Sequence, residues 1–518
     1  MKAGFRQSMS WLHTWAGLVL GWLLFFMFLT GTAGYFNAEI DHWMQPEWSA
    51  WHAVSTEDAA TLALNRLQQQ APDAARWSFN LPVNRTWSWL NLSWQSKEGS
   101  APSASGSERL DPFTGQPLQA RATGGGQALY VMHWRLHYMP LSVAEWLVSI
   151  AAMFMLIAIV TGVIVHRKIF ADFFTFRPSK GQRSWLDAHN VLAVIALPFH
   201  LMITYSGLVF LMFTTVPLVV AAYYGPGKAG QQAMTNEVYQ RPPPSEASGY
   251  PATLTKFTPL LAQAEDRWGA GQAYYVNIHH PGDAQARIHL YQWQGTPLRN
   301  GEELIFDGTS GRLLEIVPVT LSSSATARDL LFELHEGLFA GPLLRWLYFL
   351  SGLLGTVMIA TGLVLWTVKR RQKLEKAGIG THRGVMLVER LNVGTIIGLP
   401  VAIAVYFWAN RLIPVDFADR AAWEMHSLFI AWMLLLLHAA LRPVARAWVE
   451  QCWLAALAFA LLPILNMLTT DRHLGVSLPQ GDWVMASFDL TMLIFGLAFA
   501  CIAAILVHRK DAKSARPG

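Results

Sequence analysis

Eight stretches of this chain, at about residues 11–36, 141–166, 187–214, 343–367, 392–411, 423–441, 449–468 and 484–507, are predominantly apolar. Each is close to or above the roughly 20 residues that a helix needs to cross a hydrocarbon layer of about 30 Å. Hydrocarbon offers no partner to backbone N–H and C=O groups, so such runs fold as helices that satisfy those groups internally. Composition agrees, with 53% of the 518 residues hydrophobic and only 14% charged, too little charge for the surface of a soluble protein of this size. The expected fold class is an all-α polytopic membrane protein of about eight transmembrane helices.

The formal charge of +5 therefore reports topology before it reports a partner, and no nucleic-acid partner is expected. The termini and the connections 166–187, 368–391 and 441–448 hold 20 of the 39 lysines and arginines, whereas the short loops 411–421 and 469–483 hold only Arg411, Arg420 and Arg472. Basic residues are retained on the cytoplasmic side, so both termini are expected there. The first apolar run is long and lacks a small-x-small cleavage site, which makes it a signal anchor rather than a cleaved leader.

Two long polar segments, 37–140 and 215–342, then lie outside the cytoplasm, each with room for a small α+β domain. The first offers a helical stretch from Glu57 to Gln70, strand-like alternation from Trp77 to Trp94 and a Ser/Gly-rich loop at 99–107. The second repeats that order after the extended tether Arg241-Pro-Pro-Pro-Ser245. Each ends in a turn signal, Asp111-Pro-Phe-Thr-Gly115 and Asp307-Gly-Thr-Ser-Gly311, whose last glycine can take positive φ. The resulting division is 1–36, first span; 37–140, first outer domain; 141–214, spans two and three with their cytoplasmic loop; 215–342, second outer domain; 343–370, span four; and 371–518, spans five to eight.

The order span, outer segment, span occurs twice in parallel. His13 precedes Thr30-Gly31 by the same 17 residues that separate His189 from Ser206-Gly207, and Leu136-His137 and Leu334-His335 lead into spans carrying Thr161-Gly162 and Thr361-Gly362. Such a repeat implies a pseudo-two-fold axis along the membrane normal. One histidine at a span end is ordinarily an interfacial cap, but four in register are costly ionisable groups that call for a shared ligand. His13 and His189 would form an inner layer, His137 and His335 an outer one. Two layers of paired neutral imidazoles suit two non-covalent bis-histidine haems of the b type, with flat macrocycles between apolar helices and small residues such as Gly17, Gly21, Gly352 and Gly355 making room. The cysteines Cys452 and Cys501 both fall inside apolar stretches, which excludes disulfide frameworks, cysteine-ligated clusters and covalent haem attachment.

Alternatives stay open within this scheme. His200 follows His189 by three helical turns, about 16.5 Å along one face, and is an alternative outer-layer ligand in place of His137 or His335. His133, four residues before His137, could line the outer site instead. His166 reads as interfacial, and His426 and His438, about 120° apart on a helix, as bundle or solvent residues. Glu145, Glu336 and Arg345 are candidates for tuning the outer layer or holding a propionate. Trp43, Trp48, Trp51, Tyr130, Trp134 and Tyr138 would rim it.

These features resemble the PepSY-associated transmembrane family: the Leu12-His-x-Trp-x-Gly17 opening, the Leu-His before span two, Asp187-x-His189, Thr361-Gly-x-x-x-Trp366, and outer segments with the turns Asp111-Pro-x-Thr-Gly115 and Asp307-Gly-Thr-Ser-Gly311. The resemblance covers about residues 8–370. It implies PepSY-like periplasmic domains and a bacterial inner-membrane protein of iron uptake, with some members haem-containing reductases of ferric siderophores. The function expected from it is an oxidoreductase that moves electrons across the membrane to a periplasmic ferric siderophore or other ferric chelate. No Gly-x-Gly-x-x-Gly or Gly-x-x-x-x-Gly-Lys-Ser/Thr appears in the cytoplasmic connections, so the donor is expected to be external, a quinol or a cytoplasmic flavoprotein. The rivals are a transporter of iron chelate or metal, and a membrane-anchored binding or protease-regulating module. The last four spans carry no motif with a chemical reading.

Overall fold

The computed structural model describes residues 4–48, 54–82, 90–97, 105–166, 176–178, 180–215, 217–239, 246–294, 301–319, 323–380 and 382–514. The chain divides into two compact units: Met1–Glu47 with Arg121–Pro217 and Leu334–Gly518, and Trp48–Ala120 with Leu218–Glu333.

The first unit is helical. Among the described residues, seven helices are long and apolar enough to cross a membrane: Phe5–Gly34 (span one), Leu141–Val165 (two), Pro342–Lys376 (four), Arg383–Leu412 (five), Arg420–Leu441 (six), Val444–Thr469 (seven) and Trp483–His508 (eight). Span three is a bent pair, Gln182–Ile195 and Leu197–Phe210, which meets the same criteria jointly but turns by 68° at the break. Pro198 occupies the first turn after the break, where its missing N–H and its ring cannot continue the preceding hydrogen-bond ladder. The single continuous helix expected over 187–214, with His189 and His200 on one face, is therefore not formed.

Span one packs on spans two and four, and span four on the first half of span three. Close approach is needed at Gly352, where a Cβ would meet Thr32 Oγ1 at 2.4 Å. Span five, 78% of whose apolar window is buried, is the most enclosed of the candidate spans, and one apolar cluster joins Leu24, Phe25 and Met358 to Leu399, Phe407 and Phe488.

The second unit corrects the expectation of two separate outer domains. Strands from both polar segments form one antiparallel seven-stranded sheet: β1 (Arg76–Asn80), β2 (Leu90–Gln95) and β3 (Gly106–Leu110) from the first segment, and β4 (Ala273–His279), β5 (Arg287–Gln292), β6 (Glu303–Asp307) and β7 (Leu313–Val317) from the second. Their order is β3-β2-β1-β4-β5-β6-β7. The two segments join through their first strands, with Trp77 opposite Ile278 and Phe79 opposite Val276. Alternation places these residues in one core with Leu67 of the helix Thr56–Gln70 and Leu260 of the helix Thr258–Trp268. A three-stranded sheet with a single helix would leave the edge of β1 unpaired, and pairing it with its counterpart β4 removes that liability. Both expected turns form: Gly115 has φ +67° and Gly311 φ +72°, and Asp111 and Asp307 each accept backbone N–H bonds from the turn they open. The tether 241–245, residues 99–104 of the Ser/Gly-rich loop and Trp51 lie outside the described residues.

Candidate functional site

In the helical unit the histidines meet in two pairs. The rings of His13 and His189 have centroids 6.3 Å apart and planes at 72°; those of His133 and His335 are also 6.3 Å apart, at 25°. Each pair takes one member from each repeat.

The seats of these rings follow from the Thr/Ser-Gly pairs. A glycine lets an imidazole lie against the helix backbone: a Cβ on Gly162 would meet His13 Cε1 at 3.3 Å, on Gly362 His189 Cε1 at 3.1 Å, on Gly207 His335 Cε1 at 3.4 Å, and on Gly31 His133 Cγ at 3.5 Å. Beside each glycine a hydroxyl donates back to its own helix, Thr161 to Ile157, Ser206 to Met202, Thr361 to Met358 and Thr30 to Phe26. That bond turns an oxygen lone pair outward. His13 Nδ1 bonds the Ala158 carbonyl at 2.9 Å, and His189 Nδ1 the Met358 carbonyl at 2.9 Å, in each case four residues before the glycine. His335 Nδ1 lies 2.8 Å from Ser206 Oγ, and His133 Nδ1 bonds the Tyr130 carbonyl of its own helix. A carbonyl only accepts, and the Ser206 hydroxyl has already donated, so Nδ1 carries the proton in all four. Nε2 is left as the basic nitrogen, and among the described residues it makes no hydrogen bond.

This donor set suits a metal held axially. Two metal–imidazole bonds of about 2 Å each, extended by the offset from nitrogen to ring centre at both ends, span on the order of 6 Å between centroids, which is the separation seen in both pairs. Fixing Nδ1–H on an oxygen orients the ring and raises its basicity. No group of three or more His, Cys, Asp or Glu side chains able to hold a bare ion occurs among the described residues, whereas a macrocycle that brings its own equatorial ligands needs only two axial nitrogens.

The outer pair differs from the expected one. His137 lies beyond the end of the helix Gly125–Arg135, which stops where Leu136 takes φ +46°, and its ring stacks on Phe429 at 5.4 Å. His133, one turn earlier, faces His335 instead. The repeated Leu-His dipeptide was a misleading register. The informative signal is His-x-x-Leu-x-x-x-Pro, met as His133, Leu136, Pro140 and again as His335, Leu338, Pro342.

His200 is not paired with another histidine. It is buried against Phe28 and Phe199, with Nε2 3.4 Å from the Ser351 carbonyl and 2.9 Å from where a Cβ on Gly355 would stand. Arg345 bonds Glu39 at 3.0 Å, and Glu336 accepts the Tyr130 hydroxyl at 2.6 Å. Glu145 is half-buried near the start of span two. Trp43 is fully buried under the Arg411 guanidinium, so it does not rim an open site. Tyr138 bonds His426, and His438 bonds Glu450 at 3.0 Å.

A family model for the PepSY-associated TM region matches residues 10–369. The chain belongs to the PepSY-associated transmembrane family. All four paired histidines and all four Thr/Ser-Gly seats lie inside the matched region, and spans five to eight follow it. Among curated proteins the chain is similar to the uncharacterized protein PA4219 of Pseudomonas aeruginosa (25% identical over 373 residues, covering 68% of this chain and 87% of that protein). The family match and the apolar helices together make this a multi-pass membrane protein.

The site also includes a feature with no sequence motif. Spans five to eight carry a buried polar network: Arg420 pairs with Glu424, both without exposed side-chain surface. Asn410 donates to Glu424 at 2.8 Å, Arg411 to Asn466 at 3.1 Å, and Asn466 and Trp43 donate to Asp489 at 3.1 and 2.9 Å. The network reaches the Thr123 hydroxyl and the carbonyls of Ala122 and Trp43, and so fastens the added spans to the flanks of the first repeat.

Proposed function

We propose that this protein is a haem-containing oxidoreductase of the bacterial inner membrane that takes electrons from a quinol or a cytoplasmic flavoprotein and carries them across the bilayer to reduce a ferric siderophore or similar ferric chelate in the periplasm. The observation that carries this reading is the recurrence, at two levels of the bundle, of two imidazoles 6.3 Å apart, each with Nδ1 on an oxygen and no hydrogen bond on Nε2 among the described residues. Gly31, the seat of His133, follows His13 by 18 residues of span one, about 27 Å of helix. The pairs therefore stand near opposite ends of a span. His13 and His189 would hold one haem and His133 and His335 the other. Bound there, the two groups would supply one-electron carriers on the two sides of the membrane. The chain's own part is to fix ring orientation through the carbonyls of Ala158, Met358 and Tyr130 and the Ser206 hydroxyl.

In this reading both termini are cytoplasmic and the seven-stranded sheet is periplasmic, as the distribution of lysine and arginine favours. Reduction suits iron release because Fe(II) is held less tightly than Fe(III) by hard oxygen donors. The bend in span three is the feature that would favour a transporter instead, yet span one, its repeat counterpart, is unbroken, and rocking-repeat transporters place broken helices in both halves.

The test is the visible spectrum of the detergent-purified chain, oxidised and dithionite-reduced, with haem quantified. A sharp reduced α-band and about two haems per chain, one per histidine pair, is the expected result. A colourless protein made with ample haem would overturn the reading.

A further inference from the structure

Beside the outer histidine pair the helical unit opens into a cleft of about 470 Å³. One wall is the helix Gly125–Arg135 and the turn after it; Leu141 of span two and Met425 of span six close the other sides. Met132 lines the cleft, and its neighbour His133 is the residue that faces His335. Gln127, Arg135, His137 and Tyr138 supply the polar lining, and no carboxylate lines it among the described residues.

The turn is strained. Leu136 at φ +46° and Tyr138 at φ +61° are two of only four non-glycine residues with positive φ among those described, each conformation costing on the order of 1–3 kcal/mol and persisting only where the surroundings enforce it. Here span six enforces it: Tyr138 stacks on His426 with planes 14° apart and bonds its Nδ1, and His137 stacks on Phe429. The added spans thus hold an imidazole and a phenol at the rim of a cleft whose one full charge is the Arg135 guanidinium. The Arg135 guanidinium and the His137 imidazole are hydrogen-bond donors to anionic oxygen, and exposed Met139 and Leu141 offer apolar contact to an organic shell.

We propose that this cleft binds the ferric chelate, and that it selects chelates with net negative charge, of the tris-catecholate class, over neutral tris-hydroxamates. The identity of the ligand rests on the reductase reading above; the cleft and its charge do not. Spans five to eight thereby acquire a role, as the scaffold that shapes a substrate site for the first repeat.

The experiment uses the full-length protein in detergent and redox-inert gallium(III) complexes, followed by tryptophan fluorescence and calorimetry, with the haem spectrum recorded on the same samples. The gallium tris-catecholate is expected to bind at least about tenfold more tightly than the gallium tris-hydroxamate, and to weaken by about tenfold or more in Arg135→Gln, with affinity falling as salt rises. Met425→Trp, which fills the cleft without touching its charge, should weaken both complexes. Equal binding of the two complexes, or unchanged affinity in both variants, overturns the proposal whether or not haem is present, as does displacement of the complex by anionic phospholipid with no effect of Arg135→Gln. Loss of binding in the variants of a protein without haem would sustain the cleft while the reductase reading fell.

Discussion

The first four spans and the last four bury polar groups in opposite ways. In spans five to eight the charges are answered by the protein: Arg420 by Glu424, Asp489 by Trp43 and Asn466, Arg411 by Asn466 and the Trp43 carbonyl. Among spans one to four and the helices that lead into spans two and four, each paired histidine has Nδ1 anchored on an oxygen and no hydrogen bond on Nε2 among the described residues. A network of paired buried charges is a joint, since breaking a pair by removing one member strands its partner in a medium that cannot solvate it. An array of half-satisfied imidazoles repeated by symmetry is the pattern that the proposed cofactor site would require.

The largest effect that would break this comparison is expected at the histidines. On the proposed reading, His133→Ala or His335→Ala should remove one of two proposed haems, about half the reduced α-band, and His13→Ala or His189→Ala the other half. His137→Ala should leave the band intact, because its ring lies on Phe429. Haem per chain by pyridine haemochrome, measured across the five variants, decides the matter, and loss of haem in His137→Ala with retention in His133→Ala would reverse the assignment.

Next in size is the joint. Glu424→Gln leaves the Arg420 guanidinium buried with its carboxylate partner neutralised, a change that typically costs about 3–5 kcal/mol. Thermal unfolding in detergent should show a marked loss, while whatever protein survives keeps both haems. Parallel loss of haem and stability would mean that the two halves are not distinct in kind.

How much of this was legible in the chain follows the same division. Apolar length located the spans, and the Asp-to-Gly turns at 111–115 and 307–311 formed as read, because both features depend only on local chemistry. The inner pair His13 and His189 was also legible, since identical spacing to Thr30-Gly31 and Ser206-Gly207 needs no tertiary knowledge. The outer pair was misread by one helical turn, because the dipeptide Leu-His weighed more than the position of the helix-ending Leu and the span-opening Pro. The union of two outer segments in one sheet depends on edge pairing of β1 with β4, which no single-strand pattern announces. The buried network was invisible, as Asn410, Glu424, Asn466 and Asp489 come together only when their spans pack.

A smaller substitution sharpens the contrast at glycines. Gly362→Ala places a methyl 3.1 Å from His189 Cε1 and 3.3 Å from Nδ1, whereas Gly398→Ala in span five places one 3.1 Å from Leu435 Cβ. Both force neighbours to give way by a few tenths of an ångström, at a cost of about 1–3 kcal/mol. Only the first should shift the α-band or the midpoint potential, because only there is the displaced group a proposed haem ligand. Equal spectral shifts in the two variants would remove the glycine seat from the argument.

The smallest effect concerns acid and the sheet. On β4, His279 is held down to about 4, from an ordinary 6.5, by burial first and then by His289 and Arg76. The folded form thus keeps His279 neutral while the unfolded chain takes up a proton once pH drops below about 6.5. Stability falls with pH between those values and loses nothing more to this group below about 4. Asp283 and Asp307 are held well below the usual carboxylate range, chiefly by backbone N–H groups of Gln285 and Ser310. Their contribution is full above the ordinary 3.8 and is lost only as pH falls further through their lowered values. Acid therefore weakens the sheet in two steps, histidine first. Amide exchange of β4 and β5 in the full chain should quicken from pH 7 to pH 5 after correction for intrinsic rates, and His279→Gln should blunt that change. Unaltered protection over this interval, or the same response in the variant, would show that His279 does not couple the sheet to pH.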